Sequence, residues 1–264
     1  MKITGPPDIA VDVAGSGPLL VFLHGVGGNR HNWTDQIVHF SDRFTTLAWD
    51  ARGYGDSDDA PNRKFTDFAD DLARVIGHFA KKTQSAAAHL VGLSMGGRIA
   101  LDFWKRYPHL VASLTLADTS AGAPPSPEKL EAFMALRRKP LLEDGKTPAD
   151  IAPEIVASIA GPTITDIAYA RLIASHVALR PNSYLDTLAA VTRFTDFPPF
   201  ESISVPTLVI VGEHDRVASP AYAASTAAAI PGARLHIIPG AGHVSNIEAP
   251  AAFNAALDEF LASA

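Results

Sequence analysis

The 264-residue sequence contains no cysteine, which excludes disulfide frameworks, thiol nucleophiles and Cys-ligated metal. Long apolar runs are also absent. The longest, such as Leu19 to Leu23 and Thr207 to Val211, fall far short of the roughly 20 residues a membrane-crossing helix needs. No apolar segment follows Lys2 near the N-terminus, so a signal peptide is not expected. Basic blocks are missing too. The densest, Arg137-Arg138-Lys139, sits in a chain of net charge −6, without the electrostatic footprint of a nucleic-acid binder. No histidine pair has the H-E-x-x-H spacing and no calcium-type acidic loop occurs, so no metal is expected. The expectation is a cytoplasmic protein with a small-molecule substrate and no cofactor, nucleic-acid or membrane partner. Its oligomeric state stays open between monomer and homodimer.

Short β-branched runs alternate with longer amphipathic stretches. Leu19–Leu23, Phe44–Trp49, His89–Gly92, Leu114–Ala117, Thr207–Val211 and Leu235–Ile238 read as strands, and their continuous apolar character predicts burial on both faces. Thr66–Lys82 carries Phe68, Leu72, Val75, Ile76 and Phe79 at helical spacing. Met95–Tyr107 reads as a helix stopped before Pro108, and Pro220–Ile230 and Pro250–Leu261 as helices opened by proline. This alternation predicts a parallel sheet with helices on both faces. Ile3 and Ile9–Val13 flank Gly5-Pro6-Pro7-Asp8 and suggest an antiparallel hairpin at the sheet edge. The rhythm breaks after Asp118. Gly122, Pro124, Pro125 and Pro127 have linker composition. Glu128–Lys139, Ala149–Ala160, Ile164–Leu179 and Asn182–Thr192 then read as helices without an intervening strand. The chain divides into a core of residues 1–120 and 197–264 and a helical insertion of residues 121–196.

Gly92-Leu93-Ser94-Met95-Gly96 fits G-x-S-x-G between a strand and a helix. Its glycines permit a tight strained turn that projects the Ser94 hydroxyl; a helix N-cap is the other role open to this serine. A nucleophilic serine needs a base. His243 follows the last strand in the loop Pro239-Gly240-Ala241-Gly242-His243. The base in turn needs an acid to fix its tautomer. Asp215 lies just past the strand at Thr207–Val211, and Asp118 ends the preceding strand, so either could serve, with Asp215 preferred. Oxyanion donors, worth about 3 kcal/mol each, are expected from the Met95 N–H and from Val26 in the glycine loop His24-Gly25-Val26-Gly27-Gly28. A phosphate-binding role for that loop lacks the required Lys-Ser/Thr pair. Asp50-Ala51-Arg52-Gly53-Tyr54-Gly55-Asp56-Ser57 reads as a structural loop, with Asp50 and Arg52 pinning turns, and His214 as a loop residue.

These segments together resemble the α/β-hydrolase superfamily over essentially the whole chain. The resemblance implies an α/β-hydrolase fold, with an eight-stranded, mostly parallel sheet and a lid between strands six and seven, where the helical insertion falls. The order Ser94, Asp215, His243 is that of the superfamily's triad. Gly92–Gly97, Leu116–Ala121 and Gly242-His243-Val244-Ser245-Asn246-Ile247-Glu248 are similar to the 3-oxoadipate enol-lactonase group, which implies ester or lactone hydrolysis. The meta-cleavage C–C hydrolases, cofactor-free haloperoxidases and perhydrolases, and ligand receptors on this fold share much of the pattern. Substrate choice would belong to the insertion. Phe133, Met134, Leu136, Ile159, Tyr169 and Leu172 could line a pocket, and Arg137, Arg138 or Arg193 could meet a carboxylate. Lid packing and solvated helix faces explain the same residues.

Overall fold

Neighbouring residues of the first apolar run go to opposite sides. Leu19, Val21 and Leu23 join one buried cluster, Leu20 and Phe22 another. A strand has this period of two, and burial of all five residues means that both faces are covered. The computed structural model describes residues 1–60, 64–83, 87–121 and 126–264. Within them, eight strands form one sheet: β1 Lys2–Ile3, β2 Ile9–Ala14, β3 Leu19–Leu23, β4 Thr45–Trp49, β5 Ala88–Leu93, β6 Val111–Ala117, β7 Thr207–Gly212 and β8 Arg234–Ile238. Their spatial order is β1-β2-β4-β3-β5-β6-β7-β8. All pairings from β4 to β8 are parallel. Strand β2 runs antiparallel to both β1 and β4, so the expected hairpin does lie at the sheet edge.

The helices are α1 Thr34–Phe40, α2 Thr66–Thr83, α3 Met95–Arg106, α4 Pro127–Arg137, α5 Lys139–Leu142, α6 Pro148–Ile159, α7 Asp166–Val177, α8 Pro181–Arg193, α9 Pro220–Ala229, α10 Ser245–Glu248 and α11 Pro250–Leu261. On one face, α2 and α3 bring Phe68, Leu72, Ile99 and Phe103 against Val21, Leu47 and Leu90. On the other, α1 and α11 bring Phe40, Phe253 and Leu257 against Phe22, Ala48 and Val91, with Trp33 between them. Between β6 and β7, the described residues form only helical segments, α4 to α8 and a short 3₁₀ turn. The helix expected over Glu128–Lys139 divides into α4 and α5 near Arg138. Pro140, in the first turn of α5, supplies no N–H to continue the preceding helix. The linker residues Gly122, Pro124 and Pro125 lie outside the described residues.

Two local features differ from expectation. Strand β8 was expected to be covered on both faces, yet Leu235 and Ile237 are 38% and 43% exposed. It is the last strand of the sheet and has a neighbour on one side only. Helix α1 and the 3₁₀ turn before it, Arg30–Trp33, were not anticipated. The turn is nucleated by side chains: Asn29 accepts from the His31 N–H at 2.9 Å and Asn32 accepts from the Asn29 N–H at 2.8 Å. Such local capping leaves little apolar periodicity to read.

Candidate active site

Strand β5 ends at Leu93 and α3 begins at Met95, so Ser94 alone makes the turn. Its φ of 52° and ψ of −111° are a conformation that costs an L-residue about 1–3 kcal/mol. The turn closes because its flanks can touch. A Cβ on Gly92 would overlap the backbone of Gly96 and Gly97, and a Cβ on Gly96 would overlap the Leu23 carbonyl oxygen. The Ser94 N–H donates to the Ala117 carbonyl at 2.8 Å, tying the turn to β6. Gly96→Ala is therefore expected to destabilise the fold by about 2–3 kcal/mol through overpacking against backbone that cannot yield. Thermal melting of the purified variant checks this, and an unchanged Tm would contradict it.

The loop after β8 brings His243 to this turn. Its Nε2 lies 3.0 Å from Ser94 Oγ, and its Nδ1 lies 2.9 Å from Asp215 Oδ2. Asp215 follows β7. Its other oxygen, Oδ1, accepts from the Val217 and Ala218 N–H groups at 2.7 and 2.9 Å, so the carboxylate cannot swing away from the imidazole. The His243 loop is held in turn by the insertion: the His243 N–H donates to the Ile159 carbonyl at 2.8 Å. Glu248 closes the same junction. Its Oε2 accepts from the Gly161 and Gly242 N–H groups at 2.7 and 3.1 Å, and its Oε1 from the Val244 N–H at 3.3 Å.

Burial and charge oppose one another here. Burial of His243 disfavours its protonated form, but the charge and hydrogen bond of Asp215 outweigh this and leave its pKa raised. Burial also acts to raise Asp215; the imidazolium and the two backbone donors prevail and lower it. Asp118 behaves differently. It is fully buried with a positive φ of 46°. Burial and the nearby Asp215 charge push it up to about 7. Its carboxyl accepts from the Gly212 N–H at 2.8 Å and from the Ser245 N–H and Oγ–H at 3.1 and 2.6 Å. Asp118 thus links the ends of β6, β7 and the start of α10, and it is Asp215 that bonds His243.

The glycine loop after β3 reaches the same place. A Cβ on Gly25 would stand 3.3 Å from Ser94 Cβ. His24 anchors the loop as a neutral imidazole. Its Nδ1–H donates to the Gly25 carbonyl at 2.8 Å and its Nε2 accepts from the Ala51 N–H at 3.0 Å, while burial lowers its pKa. Neither the Val26 N–H nor the Met95 N–H donates to an acceptor among the described residues. Met95 opens α3; the Gly97 and Arg98 N–H groups of its first turn donate to the Ser94 carbonyl at 3.1 and 3.2 Å, and the helix N-terminus directs its partial positive charge toward Ser94.

Other expected residues separate. Asp50 accepts from the Arg30 and Asp56 N–H groups and pairs with the Arg30 guanidinium, while Arg52 pairs with Asp71 and Asp67; both pin turns. His214 is half-exposed beside Glu213. Phe133 and Met134 pack against the cluster that holds Met95 and Tyr184. Ile159 and Leu172 are buried with Ala241 and Val244. Tyr169 instead lines an outer groove with His214 and Arg216. Arg138 and Arg193 are exposed, as solvated helix faces require, but Arg137 is 7% exposed and the solvated reading fails for it. Sequence reasoning also missed His176 of α7, which sits where a Cβ on Gly27 would be. No motif marks a histidine in the insertion. Glu248 was legible only as part of the Gly242–Glu248 segment, without a role.

This geometry has counterparts. The model of a family described as the alpha/beta hydrolase family matches residues 20–256. The 2-(acetamidomethylene)succinate hydrolase of Mesorhizobium japonicum is 30% identical over 257 residues, spanning 94% of this chain and 89% of that protein. The malate-bound thermophilic esterase of Thermogutta terrifontis has a TM-score of 0.88 at 27% identity, covering 99% of this chain and 97% of its own. The enol-lactonase of Burkholderia xenovorans LB400 has a TM-score of 0.83 at 26% identity, covering 98% of each chain. With one sheet order, one strained serine turn and a family match across nearly its full length, the chain belongs to the alpha/beta hydrolase family.

Proposed function

We propose that this protein is a serine hydrolase of small esters or lactones, working without a cofactor through an acyl-enzyme on Ser94. The observation that carries the reading is the unbroken chain from Ser94 Oγ through His243 to Asp215. As Oγ attacks the carbonyl carbon, its proton passes to His243 Nε2. The oxyanion that forms is met by the Val26 and Met95 N–H groups, which have no other acceptor among the described residues. Collapse expels the alcohol oxygen, which takes the proton from Nε2. Water then gives a proton to the same nitrogen and attacks the acyl-enzyme, and Ser94 regains its proton as the acid leaves. A lactone keeps its alcohol attached, so one hydroxy acid is released.

Residues 121–196 would act as a lid on a core of residues 1–120 and 197–264. Support comes from α7, which lays His176 on the Gly27 backbone, and from the Ile159 and Gly161 contacts to the His243 loop. A fluorophosphonate probe tests the nucleophile: labelling should map to Ser94 and require the folded protein. A panel of aryl esters and lactones then tests the reaction. No labelling, with no turnover of any member, would refute the reading.

The pH dependence has a fixed sign. Only neutral His243 can accept the Ser94 proton. Its pKa is raised in the folded protein, so the acid limb of kcat/KM is expected to have its midpoint above the value of roughly 6.5 of a free imidazole. Activity should fall as pH drops through that midpoint. A limb centred below 6 in a pH–rate profile would contradict the assigned base.

A further inference from the structure

Arg137 ends α4 and is 7% exposed, while its neighbours Arg138 and Lys139 stand in solvent. A buried cation is costly unless it is paired. The other shielded arginines are provided for. Arg30 has Asp12, Asp50 and Asp56, Arg52 has Asp67 and Asp71, and Arg98 donates to the Val191 and Phe194 carbonyls. Arg137 has no such partner among the described residues, and the ten residues outside that description include no Asp or Glu. Its guanidinium stacks on Phe133, 4.2 Å from the ring centroid. Beside it lies Tyr184, whose buried hydroxyl makes no well-formed hydrogen bond to the chain. A cation and a hydroxyl are thus held side by side, with no carboxylate or carbonyl among the described residues accepting from either.

Their position relates them to the reacting groups. The Arg137 charge acts on both His243 and His176, disfavouring protonation of each. His176 in turn touches the Gly27 backbone next to Val26. The cation, at the end of α4, therefore lies within electrostatic reach of the histidine that bonds Ser94. A guanidinium fork matches the two oxygens of a carboxylate, and the tyrosine hydroxyl can supply a further donor. A single guanidinium suits a singly charged group.

We propose that Arg137, with Tyr184, binds a carboxylate on the substrate, so that the ester or lactone cleaved at Ser94 carries an acid group at its far end. This rests on the hydrolase reading above, and the test separates the two. Three 4-nitrophenyl monoesters of glutaric, adipic and pimelic acid would be compared with isosteres in which an isopropyl group replaces the carboxylate. In the wild type, the best acid should exceed its isostere in kcat/KM. Arg137→Met should lower that ratio by about 30-fold, within the range of a charge-assisted hydrogen bond. Arg137→Lys should fall between, having charge without the fork. Arg138→Met, on the exposed face, should leave the ratio unchanged. A ratio altered less than threefold by Arg137→Met would overturn the proposal while leaving the hydrolase reading intact. A readout without turnover uses Ser94→Ala protein and calorimetric titration with monomethyl adipate. Binding that disappears on adding Arg137→Met supports the anion site even if no ester is cleaved. Binding that persists overturns it.

Discussion

Replacing Ser94 with alanine is expected to lower kcat/KM for any ester the protein hydrolyses by about 10⁴- to 10⁶-fold. The loss arises from one atom. Without Oγ there is no acyl-enzyme, and His243 can only assist water. Residual acceleration would come from binding and from the oxyanion donors. The fold should survive, because the backbone contacts that close the turn come from Gly92, Gly96 and the Ser94 N–H rather than from the hydroxyl. Alanine at φ 52° inherits the strain of serine, whereas Ser94→Gly relieves it. Ser94→Gly should therefore be equally inactive but melt at a higher temperature. Purified Ser94→Ala retaining more than a tenth of wild-type activity would end the acyl-enzyme scheme.

Asp215→Asn should also be strongly damaging, costing about 10³- to 10⁴-fold in kcat. An amide there can hold the imidazole through the wrong tautomer and cannot stabilise the imidazolium. Asp118→Asn is the informative comparison, because Asp118 is also acidic, buried and within electrostatic reach of His243. Its oxygens accept only from Gly212 and Ser245. The amide would set an N–H against the Ser245 N–H, leaving a buried donor unpaired at a cost of about 1–3 kcal/mol in stability. Its kcat should stay within about tenfold of wild type, since no contact to the imidazole is lost. The reverse order, with Asp118→Asn the deeper loss of kcat at full folding, would move the acid role to Asp118.

Much of this was legible in the sequence, and the reasons are local. A strand buried on both faces has to be continuously apolar, so β3 and β7 stood out as Leu19–Leu23 and Thr207–Val211. A turn that presses backbone on backbone needs glycine, so Gly92 and Gly96 marked the serine between them. What stayed hidden depends on contacts distant in the chain. The burial of Arg137 is set by how α4 lies against Tyr184 of α8, not by its basic neighbours, which suggested a solvated face. His176 acquires its place only when α7 reaches Gly27. The exposure of β8 follows from its position at the end of the sheet, which its composition does not encode. Helix α1 escaped because side-chain caps, rather than a long apolar stripe, start it.

The bonds from Ile159 and Gly161 to the loop around His243 also bear on how this scaffold can be re-engineered or diversified. Specificity in such an architecture invites exchange of the whole helical segment between cousins, as if it were a removable module. Here the segment also carries part of the scaffolding of the His243 loop. A transplanted segment lacking the turn at 159–161, or met by a host lacking the Glu248 carboxylate, would alter the substrate pocket and loosen the histidine together. Successful chimeras should therefore keep the 159–161 turn and Glu248 as a matched pair, with their crossover points outside both.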